Sequence, residues 1–242
     1  MALKRIFEVC AFNIQSCLIA EKAGSKRVEL CDNPLEGGTT CSYGTIRHVR
    51  ENISILLYPI IRPRSGNYFY DDYEFKIIKE DIKICRELGC DGISVGIQKL
   101  NGEIDIQRFE QIIEWAGPMG VTCNRVFDAV PDPYKALEEI IGCGCERVLT
   151  SGQATAAPQA AVLLAQLVNI AGDRIIIMPG AGINSSNIES LIKETGAKEF
   201  HGSARKVLGN PVSFKNLRVT DFGNVYVTDE DELRSLIRYV QT

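Results

Sequence analysis

The stretch Ile6-Phe7-Glu8-Val9-Cys10, with its echo Arg27-Val28-Glu29-Leu30-Cys31, decides how this chain folds. In each, an acid and a thiol stand two residues apart around one apolar residue. Read as β-strands, they set Glu8 beside Cys10 and Glu29 beside Cys31, because successive side chains point to opposite faces. Phe7, Val9, Val28 and Leu30 then face an apolar layer. A carboxylate inside a packed sheet is costly unless something there pairs with it. Two such strands, close in sequence, predict one polar centre fed by neighbouring strands.

Working outward, the same alternation of strand and helix continues along the chain. Strands are predicted over 5–11, 26–32, 54–62, 92–97, 121–128, 147–151, 174–178 and 198–203. Helices are predicted over 13–24, 42–52, 71–88, 105–116, 132–142, 156–171 and 185–195, and a last one over 229–240. Gly24, Gly89 and Gly196 suit helix C-caps, and Asp105, Asp132 and Ser185 suit N-caps. Helix 105–116 carries Ile106, Phe109, Ile112 and Ile113 on one stripe, with Gln107, Arg108, Glu110 and Gln111 opposite. Eight strand-plus-helix units imply a parallel sheet with right-handed crossovers, which can close into a barrel. An open doubly wound sheet is the competing layout, but no G-x-G-x-x-G follows the first strand. The expected class is α/β, a single (β/α)₈ barrel. One domain over 1–242 is expected, with barrel strands over 5–203 and a C-terminal extension and helix over 205–242.

Composition narrows the function classes. The 242 residues are 45% hydrophobic and 24% charged, as in an ordinary globular protein. A net charge of −4 without a basic block argues against nucleic-acid and anionic-membrane partners. Apolar runs such as 53–61 are far shorter than a membrane span. No signal peptide is read at the N-terminus, so a cytoplasmic location is expected. Nine cysteines invite a disulfide or zinc reading. The odd number, the missing secretion signal and the absence of C-x-x-C favour small buried hydrophobes for most of them.

In barrels of this kind chemistry gathers at the C-terminal ends of the strands. The first two strands bring Glu8, Cys10, Glu29 and Cys31, and the third brings Arg62 and Arg64 on one parity. The fifth brings Asn124, Asp128 and Arg125. The seventh brings Gly180 and Gly182, and the eighth His201, Gly202 and Ser203. One reading is an internal ion-pair network that fills the barrel mouth. The other is an anion site, with Arg62 and Arg64 as a guanidinium clamp and Gly180, Gly182 and Ser203 supplying further donors. If the centre is catalytic, His201 is the acid or base suited to neutral pH, with Glu8 and Glu29 orienting or shuttling protons. Cys10 and Cys31 are either packed lumen thiols or a soft metal site that favours Cu(I). No organic cofactor is predicted, and His48 is assigned nothing.

Taken together, these residues resemble the CutC family, named for copper homeostasis. The resemblance rests on Phe7-Glu8-Val9-Cys10, Arg27-Val28-Glu29-Leu30-Cys31, Glu36-Gly37-Gly38-Thr39-Thr40-Cys41-Ser42 and Ile61-Arg62-Pro63-Arg64 with Gly66. Arg147-Val148-Leu149-Thr150-Ser151-Gly152, Met178-Pro179-Gly180 and His201-Gly202-Ser203 complete it. It implies a cytoplasmic TIM barrel, usually a homodimer or homotetramer, with a role in copper handling and with Cys10 and Cys31 as Cu(I) ligands. It carries over no enzymatic reaction, so a barrel enzyme or sensor for a small anionic or phosphorylated metabolite stays as the alternative. Two departures stand out. Where the family reads Thr-Phe-His-Arg-Ala-Phe-Asp, this chain has Thr122-Cys123-Asn124-Arg125-Val126-Phe127-Asp128, so an imidazole becomes a non-titrating amide. The family's turn proline is Cys41, a third thiol near the mouth.

Overall fold

The computed structural model of the chain describes residues 5–209, 211–214, 216, 218 and 223–241. Eight parallel strands alternate with helices. The strands are β1 (Ile6–Ala11), β2 (Arg27–Leu30), β3 (Leu56–Ile61), β4 (Gly92–Val95), β5 (Gly120–Cys123), β6 (Arg147–Thr150), β7 (Ile176–Pro179) and β8 (Glu199–Gly202). Seven helices follow the first seven strands: α1 (Ile14–Ala23), α2 (Tyr43–Asn52), α3 (Asp72–Glu87), α4 (Ile106–Ala116), α5 (Pro133–Gly142), α6 (Ala161–Ala171) and α7 (Ile188–Thr195). The hydrogen-bonded order is β7-β6-β5-β4-β3-β2-β1-β8, and β7 lies against β8 where the ring meets itself. This is a (β/α)₈ barrel.

Strand parity divides the molecule as the opening stretch implies. Phe7, Val9, Val28 and Leu30 are buried between sheet and helices, within the main apolar core. Glu8 and Glu29 point into the lumen and are almost completely buried. The register sets Glu8 opposite both Arg27 and His201, and Cys10 opposite Glu29, so the inward groups of β1, β2 and β8 meet. Helix ends follow local chemistry: Asp71 and Glu74 form a reciprocal capping box on α3. Gly24 ends α1 at φ 93°, a left-handed conformation that costs glycine nothing.

Three elements differ from expectation. The fifth strand stops at Cys123 instead of running to 128, and Arg125–Ala129 form a 3₁₀ turn. Asn124 causes this, since its Oδ1 accepts the Val126 N–H at 3.0 Å and caps the turn. The seventh helix starts at Ile188, and Ser185 does not cap it; Ser185 donates its N–H and hydroxyl to Glu232. The helix expected over 156–171 begins as a 3₁₀ turn around Pro158, with α6 starting at Ala161.

Beyond β8 the chain forms an antiparallel pair, β9 (Arg205–Val207) with β10 (Tyr226–Thr228), before α8 (Glu230–Gln241). The pair is stitched to the start of α1: Asn13 Nδ2 donates to Tyr226 O at 2.8 Å, and Thr228 N to Ser16 Oγ at 3.1 Å. Helix α8 buries Leu233, Leu236, Ile237 and Val240, a helical stripe, as it packs on α1, α7 and β1.

Candidate functional site

The N-terminal half of the lumen is closed by charge and by one aromatic ring. Arg27 and Arg147, each the first residue of its strand, are buried and share the Glu199 carboxylate. Arg147 also pairs with Glu146 at 2.9 Å and donates to Thr122 Oγ1 at 3.2 Å. Tyr58 lies under both guanidiniums, 5.4 and 5.3 Å from its ring centre, and donates its hydroxyl to Glu146. The ring fits because β4 and β5 begin with Gly92 and Gly120. A Cβ on Gly92 would lie 2.1 Å from Tyr58 Cε1, and one on Gly120 2.4 Å from its hydroxyl oxygen.

From this plug, charges of alternating sign lead upward. Arg27 also pairs with Glu8, Glu8 Oε1 lies 2.8 Å from His201 Nδ1, and His201 Nε2 lies 3.6 Å from Glu29 Oε2. Burial alone would raise the Glu8 pKa, but Arg27 and His201 outweigh it and hold the carboxyl well below its ordinary range. Burial disfavours a charged His201, yet Glu29, Cys10 and Glu8 together push its pKa well up, in favour of the protonated ring. Burial raises the Glu29 pKa, against the pull of His201.

The line ends at the thiols. Cys10 Sγ and Cys31 Sγ are 3.5 Å apart, and one oxygen of Glu29 joins them in a group whose ligand atoms all lie within 4.8 Å of one another. The contact with Cys31, and then burial, push the Cys10 thiol well up. The Cys10 contact works to lower Cys31, but burial and Glu29 leave that thiol raised too. Both therefore start protonated. Oε1 of Glu29 is buried with no hydrogen-bond partner.

Above the thiols opens a cavity of about 390 Å³, at the C-terminal ends of the strands, where barrels of this kind carry their chemistry. Cys10, Glu29, Cys31 and His201 border it, and Gly182 and Ser203 stand on its rim. Gly180 is not among the bordering residues. Its N–H donates to Thr150 O at 2.9 Å, and a Cβ there would lie 2.5 Å from Leu149 and 3.3 Å from His201. Gly180 thus makes room for the imidazole.

The paired guanidinium clamp expected from Arg62 and Arg64 does not form. Arg62 is buried and donates to the carbonyls of Glu36, Gly38 and Gly66 at 2.6–2.8 Å, stacked over Tyr68. The strand ends at Ile61, so parity no longer governs Arg64; it turns outward to Glu74, Asn67 and Phe69 O. Asp128 accepts from Thr150 Oγ1, Ser151 and Gln153 N, and so ties down the loop after β6. Cys41 is buried in the apolar core, outside the Cys10–Glu29–Cys31 group. Asn124, capping its turn through Oδ1, borders the cavity with an unpartnered Nδ2. Sequence reasoning missed Arg27, Arg147, Tyr58 and Arg205. Arg27 shares parity with Glu29 and was findable; Arg205 lies past the last barrel strand and carried no signal.

A (β/α)₈ barrel with paired thiols, a buried carboxylate and an imidazole at its mouth is the class that fold and site define. The CutC family model matches residues 5–206, and this chain belongs to the CutC family. A CutC family protein of Chromobacterium violaceum is 44% identical over 213 residues, covering 88% of this chain and 86% of that one. One of Parabacteroides distasonis is 45% identical over 231 residues, covering 95% of each. A solved CutC structure from Streptococcus agalactiae, named as a copper homeostasis protein, superposes with TM-score 0.79 at 34% identity. It covers 82% of this chain and 98% of its own. No described helix is long and apolar enough to cross a membrane.

Proposed function

We propose that this CutC-family chain handles copper by holding Cu(I) on Cys10 and Cys31. The observation that carries the reading is the sulfur pair, 3.5 Å apart at the floor of an open cavity. Soft sulfur donors favour Cu(I) over hard ions. With the Zn–S length of about 2.3 Å as a guide, a tetrahedral thiolate pair spans about 3.8 Å, so a small opening suffices. One oxygen of the Glu29 carboxylate is a third donor of the right sign, and the paired sulfurs fit a soft cation. Loading displaces both thiol protons, so apparent affinity rises with pH. Anaerobic Cu(I) titration against a competing chelator tests the reading. Cys10→Ser and Cys31→Ser are each expected to abolish the tight equivalent, and unchanged stoichiometry and affinity in both would reject it. The reading extends, on family resemblance alone, to a cytoplasmic homodimer or homotetramer.

A further inference from the structure

We infer that the cavity above the thiols binds a small hydroxylated organic oxyanion, with its charged group at Arg205 and its polar body over Glu29 and Asn124. This goes beyond copper handling and does not rest on it: Glu29 is common to both, but Arg205, Asn124 and Ser203 belong to this site alone. The volume of about 390 Å³ falls within the roughly 300–1,000 Å³ of small-molecule sites and far exceeds what one ion fills.

The floor asks for hydrogen bonds in both directions. Glu29 Oε1 is an acceptor and Asn124 Nδ2 a donor; both are buried without a protein partner, and both residues border the cavity. Buried polar atoms are seldom left unpaired in native proteins. Hydroxyls, which donate and accept, suit both atoms. Phe12, Ile60, Tyr68 and Leu149 also border the cavity, and their apolar surface suits a short aliphatic body.

The rim supplies the charge. Arg125 reaches it but is neutralised by Asp128 at 2.8 Å. Arg205 has no acidic partner among the described residues. Its Nη1 makes one long bond to Pro34 O at 3.3 Å, and its guanidinium rests on the Tyr226 ring at 5.1 Å. An aromatic shelf that leaves fork donors open suits a carboxylate or phosphate. Ser203 and Gly182 share the rim. The two loops that hold them each contain a non-glycine residue in the left-handed region, Ala181 at φ 73° and Ala204 at φ 44°. Strain of this kind persists where the surroundings enforce it, and it clusters at ligand clamps. Ser203 stands two residues, roughly 6–7 Å, beyond His201.

The test uses the full chain, reduced and stripped of metal, in calorimetric titrations with D-glycerate, α-glycerophosphate, inorganic phosphate and glycerol. Either hydroxylated anion is expected to bind more tightly than phosphate or glycerol alone, and the better of the two names the acid group. Arg205→Gln is expected to weaken that anion about tenfold or more. Asn124→Ala is expected to weaken it while leaving inorganic phosphate unchanged. Arg64→Gln, outside the cavity, is expected to leave it unchanged, and binding by the metal-stripped chain separates this site from the copper site. Absence of binding by both anions overturns the inference, as does affinity unchanged in Arg205→Gln. Arg205 is exposed, so its replacement leaves the core intact, and Ser203→Ala, two residues away on the same connection, is expected to weaken the same anion.

Discussion

Glu8 answers to two cations at once, with one oxygen toward Arg27 and the other 2.8 Å from His201. Arg27 in turn serves Glu8 and Glu199, so its removal would leave each of these buried carboxylates with one partner fewer, Glu8 with His201 and Glu199 with Arg147. Removing one partner of a buried pair typically costs about 3–5 kcal/mol. Arg27→Met is therefore expected to destabilise the protein by about that amount in urea unfolding, and Glu8→Gln combined with it should recover part of the loss. The same pairing shows what a residue-level reading can see. The E-x-C strands announced an inward polar face, and four of their groups do converge with His201. Arg62 and Arg64 misled because parity says where a side chain points, not which carbonyls the next loop will offer it. In Arg205 the signal was missing altogether: its position depends on β10, some twenty residues further on.

At the level of elements, the lower barrel depends on two strands that begin with glycine. Gly92 and Gly120 leave the volume that Tyr58 occupies. Gly92→Ala is expected to destabilise by about 1–3 kcal/mol through overpacking, and Gly92→Ala with Tyr58→Leu should be milder than the sum of the single changes. Differential calorimetry on the four proteins decides this. Where the elements lie was largely legible, because parallel strands covered on both faces are short and β-branched, and because caps carry their own chemistry. The misplaced ends share one cause. At Asn124, Ser185 and Pro158 a side chain or ring redirects the backbone, and hydrophobic periodicity does not register such events.

For the whole molecule, buried charge makes stability depend on pH at both ends of the scale. Glu8, held below its ordinary value of 4.5, contributes stability that is complete above that value and lost as pH falls. Glu29, raised by burial, works the other way over the acid range and blunts the loss. His201, raised above its ordinary 6.5, contributes fully below that value and loses its contribution as pH rises through its folded pKa. Unfolding free energies of the metal-free protein are expected to fall on both sides. Glu8→Gln should flatten the acid limb, and His201→Gln the alkaline limb. The barrel itself could be read from strict strand–helix alternation, while the hairpin β9–β10 could not, since it interrupts that rhythm after the eighth strand. The lumen's row of charges has one more consequence. From Glu146 through Arg147, Glu199, Arg27, Glu8 and His201 to Glu29, every interior member neighbours two of opposite sign. Drift at one member strands both its neighbours, so tolerated change must arrive in compensating pairs. The floor of the cup is thus tied to the far rim of the barrel as a single heritable unit.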